Sequence, residues 1–149
     1  MNLAFPSGGY FLQLGEDSGV RGLYLSLFGK RKKMIRINEM FCSLQGESTF
    51  AGLPCYFIRL AGCNLRCSYC DTAYAFAEGR EVSIAEILRE VDAAARPWRG
   101  AGLSVHLLPL VEVTGGEPLA QKETPELLRR LCDAGYTVLL ETNGSLEPD

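Results

Sequence analysis

The chain is almost without histidine: His106 is the only one among 149 residues. A zinc site completed by several imidazoles is therefore excluded. Long apolar runs are also missing, and no stretch approaches the roughly 20 residues that a helix needs to cross a bilayer. The N-terminus lacks a signal-peptide pattern, because its basic run, Lys30 to Lys33, follows the apolar residues instead of preceding them. There is no long basic stretch, and the net charge of −3 argues against nucleic acid as a partner. Internal repeats and low-complexity segments are absent as well. These absences are read as those of a cytoplasmic protein, with no membrane expected as a partner. In that compartment six cysteines are expected to bind metal or do redox chemistry rather than build a disulfide framework.

What is present fits one folded domain. The chain is 47% hydrophobic and 22% charged, enough apolar material for a core. Its first 33 residues differ from the rest. They carry five Lys/Arg against two Asp/Glu, whereas residues 34–149 carry ten against sixteen. Residues 1–33 are read as an N-terminal extension or a docking segment, and residues 34–149 as the core domain.

From Met34 the hydrophobic pattern predicts strands over Met34–Met40, Cys55–Ala61, Leu107–Val113 and Tyr136–Glu141. Helices are predicted over Ser83–Ala95 and Thr124–Ala134. The first opens with a capping box of Ser83 and Glu86, and its apolar stripe is Ile84, Ile87, Leu88 and Val91. The second is given Thr124 as its N-cap, Pro125 at the first helical position and Gly135 at its end, with Leu127, Leu128 and Leu131 as its buried face. Alternating strands and helices predict an α/β fold with a parallel sheet. The chain stops at Asp149, just after a strand that should have a further neighbour, so the domain is expected to be truncated at its C-terminus.

The strongest chemical signal is Cys63-Asn64-Leu65-Arg66-Cys67-Ser68-Tyr69-Cys70. Three cysteines at this spacing can wrap one inorganic cube, each thiolate meeting a different iron. A structural zinc normally takes four ligands, and no fourth cysteine or histidine lies at ligand spacing. Three ligands leave one iron open to a reactant. Cys42, Cys55 and Cys132 are read as small buried hydrophobes, and His106 as a loop or packing residue. After a predicted strand comes Thr114-Gly115-Gly116-Glu117-Pro118, where two glycines allow close backbone approach and Glu117 offers charge to an ammonium group.

The cysteine pattern and this glycine turn together resemble the radical S-adenosylmethionine (SAM) superfamily. Further runs extend the likeness: Phe41-Cys42-Ser43-Leu44-Gln45-Gly46-Glu47, Phe57 to Asn64, Cys70-Asp71-Thr72 and Glu141-Thr142-Asn143-Gly144. With them the chain resembles the 7-carboxy-7-deazaguanine synthase family over Met34 to Leu146. The resemblance implies a partial (β/α) barrel and a carbon–nitrogen lyase of queuosine and deazapurine biosynthesis. Its reaction would convert 6-carboxy-5,6,7,8-tetrahydropterin to 7-carboxy-7-deazaguanine with loss of ammonia.

The implied cofactors are a 4Fe–4S cluster on Cys63, Cys67 and Cys70, S-adenosylmethionine against Tyr69, Cys70, Asp71, Gly116 and Glu117, and magnesium on Thr72. The implied substrate contacts are Leu44, Gln45, Gly46, Arg59 and Thr114, with Arg59 pairing a carboxylate. No protein nucleophile is required. A reductant such as flavodoxin or ferredoxin and a homodimer also follow from the family. Two other classes share the cysteine pattern: a radical-enzyme activase acting on a protein partner, and a non-catalytic iron–sulfur or zinc module. The sequence departs from the family at Ser48, where glycine is usual, and in having no counterpart of the later Ser-Pro-Lys segment.

Overall fold

A computed structural model of the chain describes residues 33–99 and 110–147, together with two short strands near the N-terminus. The chain divides into two compact units, residues 1–32 and 33–149. In the first, β1 (Leu3–Ala4) pairs antiparallel with β2 (Phe11–Leu12). His106 and the Leu107–Pro109 part of a predicted strand lie outside the described residues.

The second unit holds five strands and two helices: β3 (Met34–Leu44), β4 (Pro54–Leu60), β5 (Arg80–Ser83), α1 (Ile84–Arg99), β6 (Leu110–Gly115), α2 (Thr124–Asp133) and β7 (Val138–Leu140). The strand order is β5-β3-β4-β6-β7. Strands β4, β6 and β7 form the expected parallel core. Strand β3 differs: it runs antiparallel to both β4 and β5. It is joined to β4 by a short connection with no crossover helix, so the chain simply turns back beside itself.

Strand β3 also runs four residues beyond Met40, and its register shifts between Ile37 and Glu39. The extra residue at this bulge reverses which side chains face which way. Ile35 and Ile37 point to the helix-covered side, and so does Met40, whereas Glu39 and Phe41 point to the other. An apolar spacing of three after two residues spaced by two is the trace of this bulge in the sequence.

The helices cover one face of the sheet. Ile84, Ile87, Val91 and Ala95 of α1 and Leu127 and Leu131 of α2 are buried against Ile35, Ile37, Ile58, Leu60, Val111 and Val113. The capping box is present, with Ser83 N 3.0 Å from Glu86 Oε2 and Glu86 N 3.3 Å from Ser83 Oγ. Helix α1 continues past Ala95 to Arg99 with Pro97 in its last turn. A proline there removes one hydrogen bond close to a terminus where few bonds remain to be made.

Thr124 does not cap α2. Its hydroxyl is fully buried and donates to the Pro118 carbonyl at 2.6 Å, so Glu123 takes the N-cap position. The helix stops as expected at Gly135, whose N–H bonds Cys132 O at 2.9 Å. Cys55 is buried, whereas Cys42 and Cys132 are exposed, contrary to their reading as core residues. Cys42 lies on the outer stretch of β3, and Cys132 on the side of α2 turned from the Leu127–Leu131 stripe.

Candidate iron–sulfur and substrate site

Three chain segments meet at the C-terminal ends of the parallel strands, where α/β sheets place their ligands. After β4 comes the loop with Cys63, Cys67 and Cys70, all three free and half-buried. After β6 comes the Gly115-Gly116-Glu117 turn, and after β7 comes Glu141-Thr142-Asn143.

The glycine turn is close-packed against the cluster loop. Gly115 sits at φ +144°, and a Cβ there would overlap the backbone of Leu60. A Cβ on Gly116 would overlap the Gly62 carbonyl oxygen and come within 2.8 Å of the Cys63 Cβ. Glu117 N donates to that same Gly62 oxygen at 2.8 Å. The close approach made possible by the two glycines is thus to the chain's own β4 end and first cysteine. Gln121 adds a latch, its Nε2 bonding Arg36 O at 2.8 Å and Ala61 O at 3.0 Å.

The expectation that Glu117 faces an ammonium group is corrected. Its side chain is fully buried, and its oxygens accept from Leu119 N at 2.8 Å, Thr142 Oγ1 at 2.9 Å and Asn143 N at 2.8 Å. Its charge is taken up by the protein's own donors. Glu117 clamps the turn after β6 to the segment after β7.

Arg59 and Thr114 are neighbours on paired strands, and Glu39 lies opposite Arg59 on the other side. Arg59 Nε donates to Glu39 Oε1 at 2.8 Å, and Tyr74 Oη donates to the same oxygen at 3.1 Å. Thr114 Oγ1 donates to Glu141 Oε2 at 2.5 Å. A polar line, Glu39–Arg59–Thr114–Glu141, therefore crosses the sheet just below the cluster loop, on the face opposite the helices.

On that same face, two residues back along β6, stands Glu112, 9% exposed and bonded by the Gln45 amide. Burial pushes the Glu112 carboxyl above the usual carboxylate range. The Gln45 hydrogen bond works against this, and the negative charges of Glu141 and Glu47 add to it. Phe41 and Phe57 stack beside this pair with centroids 5.2 Å apart.

The Leu44-Gln45-Gly46 run is divided. Leu44 pairs with Pro54, the first residue of β4, so it lies at the opposite end of that strand from the cysteines, and it is 63% exposed. Gly46 is exposed too, and only the Gln45 side chain turns inward. Near the cluster loop, Tyr69 and Asp71 are exposed, and the Thr72 hydroxyl donates to Asp71 Oδ1 at 3.1 Å.

Ser48 takes φ +62°, the left-handed conformation that glycine adopts freely. Glu39, Tyr74 and Glu112 were not read from the sequence as site residues. A charged residue between Val111 and Val113 is the one local signal that could have marked Glu112.

The model of the Radical SAM superfamily matches residues 57–149. The chain belongs to the radical SAM superfamily. Its relatives include the 7-carboxy-7-deazaguanine synthase of Chlorobaculum tepidum, 50% identical over 115 residues, which cover 77% of this chain and 47% of that protein. The synthase of Koribacter versatilis is 46% identical over 111 residues, covering 74% and 44%. Among solved structures, QueE from Escherichia coli superposes with a TM-score of 0.62 at 29% identity, over 76% of this chain and 55% of that one. The chain spans about half the length of the curated relatives it matches.

Radical SAM membership carries with it a 4Fe–4S cluster and S-adenosylmethionine, and the donor set suits the cluster. Three free thiols lie on one loop, with no disulfide among them. Among the described residues no three His, Cys, Asp or Glu side chains converge on a single-ion site. A cube needs no such convergence, because each thiolate meets a different iron. Among the described residues, no helix is long and apolar enough to cross a membrane.

Proposed function

We propose that this chain carries the cluster-binding part and the first substrate-binding part of a 7-carboxy-7-deazaguanine synthase. The substrate would be 6-carboxy-5,6,7,8-tetrahydropterin, and the products 7-carboxy-7-deazaguanine and ammonia. The observation that carries this reading is the polar line Glu39–Arg59–Thr114–Glu141, built directly below the Cys63–Cys70 loop. The two curated relatives described above, both named for the synthase, favour it over an activase or a non-catalytic iron–sulfur or zinc module.

The chemistry of the face suits such a substrate. Glu39 occupies only the Nε of Arg59, so among the described residues the outer nitrogens of the guanidinium remain for a substrate carboxylate. Glu112, held by Gln45, lies two residues along β6 from Thr114, about 7 Å away. That is about the length of a bicyclic ring, and a carboxylate there would accept from the amino edge of a pterin. Phe41 and Phe57 supply apolar area for the ring face.

When bound, the cluster and S-adenosylmethionine supply one-electron reduction and hydrogen-atom abstraction. Tyr69, Cys70, Asp71 and Gly116 would line the S-adenosylmethionine site. Thr72 with Asp71 offers adjacent hard oxygens for magnesium. A cytoplasmic location, a flavodoxin- or ferredoxin-like reductant and a homodimer belong to the same proposal.

The test is anaerobic turnover of the reconstituted chain with dithionite, S-adenosylmethionine, magnesium and the tetrahydropterin, followed by mass spectrometry. The expected product is 7-carboxy-7-deazaguanine. Deoxyadenosine without it would overturn the substrate assignment, and neither product from a fully loaded chain would overturn the enzyme reading of this chain. Arg59→Ala is expected to keep the cluster and raise KM about 10- to 100-fold, the worth of one charge-assisted pair. An unchanged KM would remove Arg59 from the substrate site.

A further inference from the structure

Cys63 differs from the other two cluster-loop cysteines in having a side-chain amide beside its sulfur. Asn143 Nδ2 lies 3.9 Å from Cys63 Sγ and 3.2 Å from Asn64 Oδ1, so its two hydrogens are directed at the cysteine and at the cysteine's neighbour. The amide cannot be turned round. Its Oδ1 accepts from the Ser145 backbone N–H at 2.9 Å and from Ser145 Oγ at 2.6 Å. A backbone N–H only donates, so the oxygen must face Ser145 and the NH2 must face Cys63. Asn64 Nδ2 donates to Ser145 Oγ at 2.9 Å and closes the network.

The backbone of Asn143 is fixed from below. Its N–H bonds Glu117 Oε2 at 2.8 Å, and Glu117 is fully buried in the glycine turn packed against Cys63. The donor and the sulfur are therefore held by the same clamp, although 80 residues separate them in the chain. The Leu65 N–H, at 3.4 Å, is the second donor on the same sulfur.

We propose that Asn143 is a positioning residue that raises the reduction potential of the cluster held on Cys63, by donating its amide N–H to that ligand sulfur. A donor on a cysteinyl ligand stabilises the extra negative charge of the reduced cluster. Glu117 and Ser145 serve this contact, one by fixing the backbone and the other by fixing the amide. The proposal rests on the reading of Cys63, Cys67 and Cys70 as cluster ligands.

The test is an EPR-monitored dithionite titration of the anaerobically reconstituted chain and two variants. Asn143→Ala removes the donor and is expected to shift the midpoint potential to more negative values at unchanged iron and sulfide content. Asn143→Asp keeps the shape, turns an oxygen toward the sulfur and is expected to shift it further in the same direction. A full cluster with an unmoved potential in Asn143→Ala would overturn the proposal. Failure of both variants to take up iron would overturn it as well, since Asn143 would then only shape the loop. A wild-type chain that binds no iron would instead overturn the cluster reading beneath it.

Discussion

Glu112 shows how one buried carboxyl can cost stability. Its folded carboxyl titrates above the usual range, chiefly because it is buried, so the folded state holds the proton more readily than the unfolded chain does. Stability from this group is fully present below the unfolded carboxylate value and is lost as pH rises through the raised folded value. Glu112→Gln is expected to raise the melting temperature at pH 7, to leave it nearly unchanged at pH 4, and so to flatten the pH profile between them. A variant that melts lower at pH 7 would contradict this. Ser48 stores strain of another kind: Ser48→Gly releases a left-handed backbone and loses one exposed bond to Phe50 N. Chemical denaturation should show a gain of about 1 kcal/mol.

At the scale of elements, the two helices and the sheet face beneath them hold most of the apolar core. Ile87 of α1 has no exposed surface and packs in one cluster with strand residues from β3, β4, β5 and β6. Ile87→Ala should cost about 2–4 kcal/mol in a urea titration. A loss below 1 kcal/mol would mean that α1 docks less tightly than its burial indicates.

The helices were legible because their signals are local: the Ser83–Glu86 box, the stripes, and Gly135 at the end of α2. Thr124 misled because a hydroxyl before a helix looks like a cap, whereas here it satisfies the Pro118 carbonyl across a tight turn. Four of the five strands in the second unit were legible too, whereas β5, only four residues long, was not. Strand direction was not, because the alternation of β3 is the same whichever way its neighbours run.

For the whole molecule, the main hydrophobic cluster among the described residues takes no side chain from residues 62–78. Removing iron from the reconstituted chain with a chelator should therefore abolish the visible absorbance and change the far-UV circular dichroism little. New protease cleavage should map to residues 62–78, the loop whose thiols have lost their partner. Collapse of the far-UV signal would show that the metal is part of the folding free energy, as in small zinc domains. The cysteines, the glycine turn and the Glu-Thr-Asn segment follow three successive parallel strands, so one end of the sheet gathers them.

The sequence alone determined the three-cysteine loop, the two helices and the superfamily, because each is written in short spacings: three cysteines on one loop, apolar residues at helical period, two glycines after a strand. The tertiary structure alone decided that β3 is reversed and bulged, that Glu117 turns inward, that Arg59 is held by Glu39, and that Cys42 and Cys132 are exposed. Each of these depends on which segment lies opposite across the sheet or beneath the helix. The partners stand 20 residues apart for Arg59 and Glu39 and 26 for Glu117 and Asn143. The period of a single strand holds no record of such a neighbour.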